Sequence, residues 1–170
     1  GTAGLALLVV LHFVYACILT MQNRKARGNQ RYAVSERPKG VSWASQNMLA
    51  LGIIVVVGLL LHLFNFWAKM QLPEVLHGLG MDVSTRYAAN GVYHIIHTFG
   101  NPIYVILYIV WLAALWFHLT HGIWSAMQTL GVNNKVWFCR WRAVANVLST
   151  IIVLGFLFVV LAGAFGCITY

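Results

Sequence analysis

The distribution of charge constrains this chain more than any other feature of its sequence. All 11 Lys and Arg and all three Asp and Glu fall in three short stretches, at 24–39, 69–86 and 135–142. The four remaining stretches carry no charge, and 61% of the chain is hydrophobic. Such long uncharged runs indicate burial in lipid rather than in a water-soluble core, and they exclude a disordered chain. Basic residues placed between apolar runs are typical of membrane orientation, so a nucleic-acid partner is not expected.

The uncharged runs are long enough to cross a bilayer as helices. At a rise of 1.5 Å per residue, about 20 residues span a hydrocarbon core of about 30 Å. The sequence therefore predicts an all-α, integral membrane helix bundle, a single domain over 1–170, with four spans at 2–22, 45–68, 102–127 and 144–168. Asn101-Pro102 separates the third span from residues 87–100, which we expect to rest at the membrane interface.

The loops between the predicted spans differ in charge. Loops 23–44 and 128–143 carry a clear excess of Lys and Arg, whereas Lys and Arg in loop 69–101 are balanced by Asp and Glu. Because basic loops stay on the cytoplasmic side, the first two are predicted to be cytoplasmic and loop 69–101 to lie outside. Both ends of the chain are then predicted on the outer side.

Histidines are the ionisable residues that occur inside the predicted spans. Three of the four spans hold at least one, and the seven are His12, His62, His77, His94, His97, His118 and His121. Ionisable groups in a membrane are costly, so they usually face the bundle interior and serve a function. The alternative is a neutral imidazole that forms a hydrogen bond between helices.

The depths of three histidines suggest how they are used. His12 and His118 each lie ten residues from the predicted inner boundary, about 15 Å, so the two are level. His62 lies about 25 Å from that boundary and has no level partner in the chain. Two level imidazoles on different helices can bind one haem iron from opposite sides. His121, one turn from His118, remains an alternative ligand at this stage.

Other residues near these histidines are candidates for contacts with a cofactor. Gly58 and Gly122 lie one turn from His62 and His118 and would let a porphyrin approach the backbone, although close helix packing explains a glycine equally well. Asn65 and Lys69 near the outer end of the second span are candidate donors to a quinone, with interfacial snorkelling as the alternative for Lys69.

Three segments carry a resemblance to a known family. They are Ser-Gln-Asn-Met at 45–48, Leu-His-Leu at 61–63 and Phe-His-Leu-Thr-His-Gly-Ile-Trp-Ser-Ala-Met-Gln-Thr-Leu-Gly at 117–131. With them the chain resembles the cytochrome b membrane-anchor subunit of succinate dehydrogenase and fumarate reductase, most closely its single-subunit, di-haem b558 type. The family has five membrane helices, and this chain looks like helices two to five.

The resemblance implies a set of haem ligands. The haem nearer the cytoplasm would be held by His12 and His118, and the outer haem by His62 with a histidine outside this chain. The family motif selects His118 over His121. Two positions depart from the family: Ser45-Gln46 stands where members commonly have Ser-Arg, which weakens these two as quinone or propionate contacts, and Trp116 stands where some members have a glutamate.

The resemblance also implies a function and partners. The chain would carry two haem b groups and pass electrons between an iron–sulfur subunit and a membrane quinone, expected to be menaquinone. A flavoprotein, which performs the dicarboxylate chemistry, and the iron–sulfur subunit would dock on the cytoplasmic face of a bacterial inner membrane, in a complex that can dimerise. The alternatives are the cytochrome b subunit of another respiratory complex, of formate dehydrogenase or hydrogenase type, or a non-redox transporter or scaffold.

Overall fold

A computed structural model of the chain describes residues 2–28, 42–132 and 134–168, and it forms two compact units, Gly1–Val41 and Ser42–Tyr170. The described residues of the first unit form helix α1, Thr2–Arg27, which is followed by Gly28 in a left-handed conformation with φ of 64°. Inside this helix the Thr20 hydroxyl donates to the carbonyl oxygen of Ala16 at 2.8 Å. Such a bond satisfies a side-chain donor that lipid cannot serve.

The second unit contains the other helices, and no strand occurs in the described residues of either unit. Its elements in chain order are α2 (Trp43–Gln46), α3 (Met48–His62), a π-helical segment (Leu63–Trp67), α4 (Ala68–Gly78), α5 (Gly91–Phe99), α6 (Pro102–Thr129) and α7 (Trp137–Ala164). Helix α3, the π-helical segment and α4 follow one another without a break.

Among the described residues, four helical stretches are long and apolar enough to cross a membrane. They are Thr2–Ala26, Met48–Gly78, Pro102–Thr129 and Trp137–Ala164. This confirms the predicted all-α fold with four membrane-length helices, and it places the chain in the class of multi-pass membrane proteins. The outward faces of α3, α6 and α7 carry exposed aliphatic side chains such as Ile53, Ile106 and Ile151, as a lipid-facing surface requires.

The helices are longer than the apolar runs from which the spans were predicted. The second stretch continues to Gly78, ten residues past the predicted end at 68, and α7 begins at Trp137 rather than at 144. The added turns carry Lys69, Arg140 and Arg142. Long basic side chains at a helix end can reach water at the membrane interface. A charged residue therefore ends the apolar run in the sequence but does not end the helix.

The start of α6 follows the sequence signal at Asn101-Pro102. The Asn101 side-chain oxygen accepts a hydrogen bond from the Ile103 backbone N–H at 2.9 Å, and Pro102 occupies the first turn. This is an Asn cap followed by a proline that has no N–H to satisfy. Helix α6 thus begins at Pro102, the residue at which the sequence places the start of the third span.

Helices α6 and α7 pack as an antiparallel pair. Contacts recur along both: the Trp116 Nε1 donates to the Thr150 hydroxyl at 3.0 Å, and the Trp124 ring meets the Phe138 ring at 5.6 Å between centroids. Ala145 and Ser149, four residues apart on α7, are fully buried. Small residues at this spacing let two membrane helices approach closely.

Helices α3 and α6 are joined by one close contact between a glycine and a tryptophan. The indole of Trp111 occupies the space where a side chain on Gly58 would stand, and its Nε1 donates to the Val55 carbonyl oxygen at 3.0 Å. Since nothing larger than a hydrogen fits at position 58, the glycine fixes how near α6 lies to α3.

Helix α5 packs into the bundle instead of resting at its surface as expected for 87–100. Phe99 is 3% exposed and belongs to a core cluster with Tyr108 and Val160. On α7, a Cβ at Gly163 would stand 2.9 Å from the Ile95 side chain. The absence of a side chain at Gly163 therefore admits α5 between the ends of α6 and α7.

We expect Gly58→Ala to destabilise the protein, because the added methyl meets the Trp111 indole. Overpacking of this kind costs about 1–3 kcal/mol. The matched control is Gly155→Ala on α7, since nothing lies within 4 Å of a Cβ there. Thermal unfolding of the purified protein in detergent should show a lower midpoint for the first variant and no decrease for the second; equal midpoints would contradict the close approach.

Candidate functional site

His62 and His118 lie at different levels of the interface between α3 and α6. The Cε1 of His118 stands 3.9 Å from the position of a Cβ on Gly52, whereas the His62 ring lies 6.4 Å from the Tyr108 ring. Positions 52 and 62 of α3 are ten residues apart, about 15 Å along the helix. The two imidazoles therefore cannot bind the same ion, because metal–nitrogen bonds are about 2 Å long.

His62 is half-buried among aromatic rings at the end of α3. Its ring stacks on Trp111 at 5.7 Å with an interplanar angle of 30°, and it lies 5.1 Å from Phe66. It also lines a cavity of about 350 Å³ whose walls are otherwise mainly aliphatic and aromatic side chains of α5, α6 and α7. A volume of this size falls within the range of ligand pockets.

His118 and His121 face different surroundings although they are three residues apart. His118 points to the Gly52 side of α3. His121 packs edge-on against Trp124 at 5.0 Å and lines a cleft between α6 and α7, and its buried Nδ1 has no hydrogen-bond partner in the described part of the chain. Gly122, one turn from His118, has nothing within 4 Å of a Cβ position.

Asn65 forms the most buried polar group near His62. It sits in the π-helical segment and has no exposed surface; its Nδ2 lies 3.5 Å from the Tyr108 hydroxyl, and its Oδ1 accepts from the Lys69 ammonium at 3.4 Å. Lys69 itself is exposed, with its ammonium 5.6 Å from the centre of the Phe64 ring. The extra residue of a π turn re-aims the side chains after it, and such turns occur frequently at functional sites.

The other predicted contact residues are placed elsewhere. Ser45 and Gln46 belong to the short helix α2 and are exposed, and the Ser45 backbone N–H donates to the Ser42 hydroxyl at 3.2 Å. They lie before α3, whereas Asn65 and Lys69 lie after it. The two pairs therefore stand at opposite ends of one membrane-length helix and do not form one site.

Gly58 is packed by the protein itself. The recess that its missing side chain leaves is filled by Trp111, so the structure gives this glycine a helix-packing role. A cofactor contact at Gly58 would require Trp111 to move. Gly122, in contrast, keeps open space beside it.

The histidines of the other segments are placed as follows. His12 lies in α1, in the first unit, so its predicted pairing with His118 stays a prediction. His94 is 7% exposed, and its Nε2 lies 3.1 Å from the carbonyl oxygen of Tyr87, to which it donates. The exposed ring of His97 lies 4.1 Å from Tyr93. These contacts favour structural roles for His94 and His97.

The histidines on α3 and α6 are single imidazoles and do not form a cluster of metal ligands among the described residues. Within residues 2–28, 42–132 and 134–168, no three His, Cys, Asp or Glu side chains come together to hold a metal ion. A bis-histidine haem needs only one imidazole on each side of the ring. His62 and His118 each offer one imidazole at a separate level of the bundle, as two such groups would need.

Trp111 and Tyr108 are the residues that sequence reasoning missed. Trp111 lies seven residues before His118 and Tyr108 ten, so a helical period places all three near the same side of α6. That periodicity is a usable signal for the face of α6 that meets α3. The contact between Trp111 and Gly58 cannot be predicted from a single sequence.

Comparisons with protein-family models, curated proteins and solved structures find no match to this chain. A functional proposal therefore rests on the residues themselves and on the fold.

We expect Tyr108→Phe to destabilise the part of the bundle around Asn65, because the substitution removes the hydroxyl beside the fully buried Asn65 amide. Loss of a partner for a buried polar group costs about 1–3 kcal/mol. Tyr104→Phe, one turn away on α6, is the control because the hydroxyl at 104 takes part in no hydrogen bond within the described residues. Unfolding in detergent should separate the two variants, and equal loss in both would contradict a specific role for the Asn65–Tyr108 pair.

Proposed function

We propose that this chain is the membrane-anchoring, di-haem cytochrome b subunit of a succinate dehydrogenase or fumarate reductase, and that it passes electrons between an iron–sulfur subunit and a membrane quinone. The observation that carries the proposal is the placement of His62 and His118 on facing sides of α3 and α6 at levels about 15 Å apart. The motif around His118 supports the same reading.

The histidines would hold the haem groups. His118 would be paired with His12 at the inner level, and His62 with a histidine from outside this chain at the outer level. A bound haem supplies one-electron transfer, and ligation by two histidines leaves no open coordination site for oxygen. The protein's own contribution is to orient the imidazoles and to exclude water, which the aromatic packing of His62 against Trp111 and Phe66 does.

The cavity beside His62 is our candidate for the quinone. Its walls are mainly aliphatic and aromatic, and its lining includes Tyr108, whose hydroxyl lies next to Asn65. A quinone ring needs an apolar slot and a few donors for its carbonyl oxygens. Tyr108 lines the cavity, its hydroxyl lies beside the buried Asn65 amide, and the Lys69 ammonium approaches Asn65 from the exposed side. Ser45 and Gln46, at the other end of α3, fit this role less well.

The partners of the proposed complex would bind at the opposite end from this cavity. A flavoprotein subunit would perform the dicarboxylate chemistry, and an iron–sulfur subunit would deliver or accept electrons at the basic loops. The predicted loop segments 23–44 and 128–143 carry nine of the chain's Lys and Arg against Glu36, and this positive charge supports the proposed cytoplasmic side of a bacterial inner membrane.

A non-redox membrane protein is the second candidate, and one observation favours it. Trp111 fills the recess at Gly58 and stacks on His62, so both residues have packing roles without any cofactor. In that reading His62 is a half-buried imidazole within a helix interface. A visible absorption spectrum distinguishes the two candidates, because only a haem protein shows a sharp band on reduction.

His118→Ala should remove one haem from the complete complex, whereas His121→Ala should retain both. The reason is that His118 faces α3 while His121 faces the cleft with Trp124. Pyridine haemochrome quantitation per flavin measures both variants, which are matched in chemistry and lie three residues apart. Loss of a haem in His121→Ala alone would reverse the assignment.

His62→Ala should remove the other haem and its potential from a redox titration, leaving the first unchanged. The separation of about 15 Å makes the two ligations independent. Trp111→Phe serves as the control, since it disturbs the stacking on His62 but removes no ligand. A complex that contains no haem would favour the non-redox candidate, whereas full haem content in His62→Ala would contradict His62 as a ligand.

A further inference from the structure

A cleft of about 180 Å³ opens at the end of the bundle where α3 begins, α6 ends and α7 starts. We name it the basic-end cleft. Its polar lining comes from Ser42, His121, Arg142 and Asn146, and its aromatic walls include Trp43 and Trp124. His118 and His62 do not line it, so it is separate from the proposed haem ligands.

Arg142 is the formally charged residue that lines the cleft, and aromatic rings pack around it. The Arg142 guanidinium carbon lies 5.7 Å from the centre of the Phe138 ring, and Phe138 packs edge-on against Trp124 at 5.6 Å. Trp124 in turn packs against His121. A guanidinium over an aromatic face keeps its N–H donors free at its edge, where an anion can take two of them at once.

No carboxylate among the described residues neutralises Arg142. Glu74 lies in α4 and Asp82 follows it, at the opposite end of the bundle, and Glu36 lies outside the described residues. Arg140 and Lys135 add further positive charge near the start of α7. The chemistry of the cleft therefore calls for an anion from outside the described residues.

The position of the cleft selects the kind of anion. Trp43 and Trp137 lie at the same end, as tryptophans do at the level of lipid headgroups, and basic pockets between membrane helices on the cytoplasmic side bind anionic headgroups. We propose that the basic-end cleft binds the phosphate of an anionic phospholipid of the phosphatidylglycerol type. Arg142 pairs with the phosphate, and the Ser42 hydroxyl and Asn146 amide donate to its oxygens or to the headgroup hydroxyls.

The same lining disfavours a zwitterionic lipid. The choline or ethanolamine group of such a lipid carries a positive charge, which would stand near Arg142 with no carboxylate of the described residues to receive it. Like charges in contact are unfavourable, so the cleft should distinguish lipids by headgroup. This inference does not depend on the proposed redox function.

The test measures lipid binding to the delipidated, detergent-purified protein or its complete complex by native mass spectrometry. Phosphatidylglycerol should bind more tightly than phosphatidylcholine, and Arg142→Gln should weaken phosphatidylglycerol binding about tenfold. Arg140→Gln is the matched control: it removes the same charge two residues away, from a guanidinium that stacks on Trp137 and does not line the cleft. The affinity of the Arg140→Gln variant for phosphatidylglycerol should change less than twofold.

A second variant protects the test if Arg142→Gln fails to fold. Asn146→Ala removes an exposed donor and no charge, and it should weaken phosphatidylglycerol binding several-fold. Equal losses in Arg142→Gln and Arg140→Gln would overturn the proposal, since they would show attraction to a basic surface only. Competition by inorganic phosphate at equal concentration, or equal binding of phosphatidylcholine, would overturn it as well.

Discussion

The contact between Gly58 and Trp111 is the constraint on which the geometry of the α3–α6 pair depends. Lipid tails are as apolar as the helices, so helix association in a membrane relies on close packing and on hydrogen bonds rather than on the hydrophobic effect. Trp111 provides both, because its ring fills the glycine recess and its Nε1 donates to the Val55 carbonyl oxygen. This fixes the register of the two helices, and the register in turn sets the levels of His62 and His118.

The two ends of the second unit differ in chemistry as a result of where charge can be tolerated. At one end the neutral amide of Asn65 and the Tyr108 hydroxyl are buried together, and Lys69 reaches them from the exposed side. At the other end Arg142 stays at the surface against Phe138. A neutral, mutually bonded pair can be buried at low cost, whereas an unpaired guanidinium cannot. The membrane thus sorts these groups between the two ends of the bundle.

Much of the fold could be predicted from the sequence because lipid leaves the chain few choices. The uncharged runs predicted four membrane-length helices, and Asn101-Pro102 predicted the start of α6 to the residue. The placement of α5 could not be predicted, because a helix with this pattern of apolar residues can turn Phe99 either to the lipid headgroups or to the core. The role of Gly58 could not be predicted either. A glycine leaves room for a cofactor or for an indole, and only the structure shows that the Trp111 indole fills this space.

The levels of the histidines limit what this chain can do by itself. Because His62 and His118 are about 15 Å apart, each can offer one imidazole to a haem and neither can complete the other's coordination. Two bis-histidine haems therefore require two further imidazoles from other helices, of which α1 carries one candidate, His12. The surroundings also differ: open space adjoins Gly122 one turn from His118, while Trp111 occupies the recess one turn from His62. In the proposed function, a haem at the level of His118 would need a second histidine, whereas a haem at the level of His62 would also have to share its space with the Trp111 indole that packs between α3 and α6.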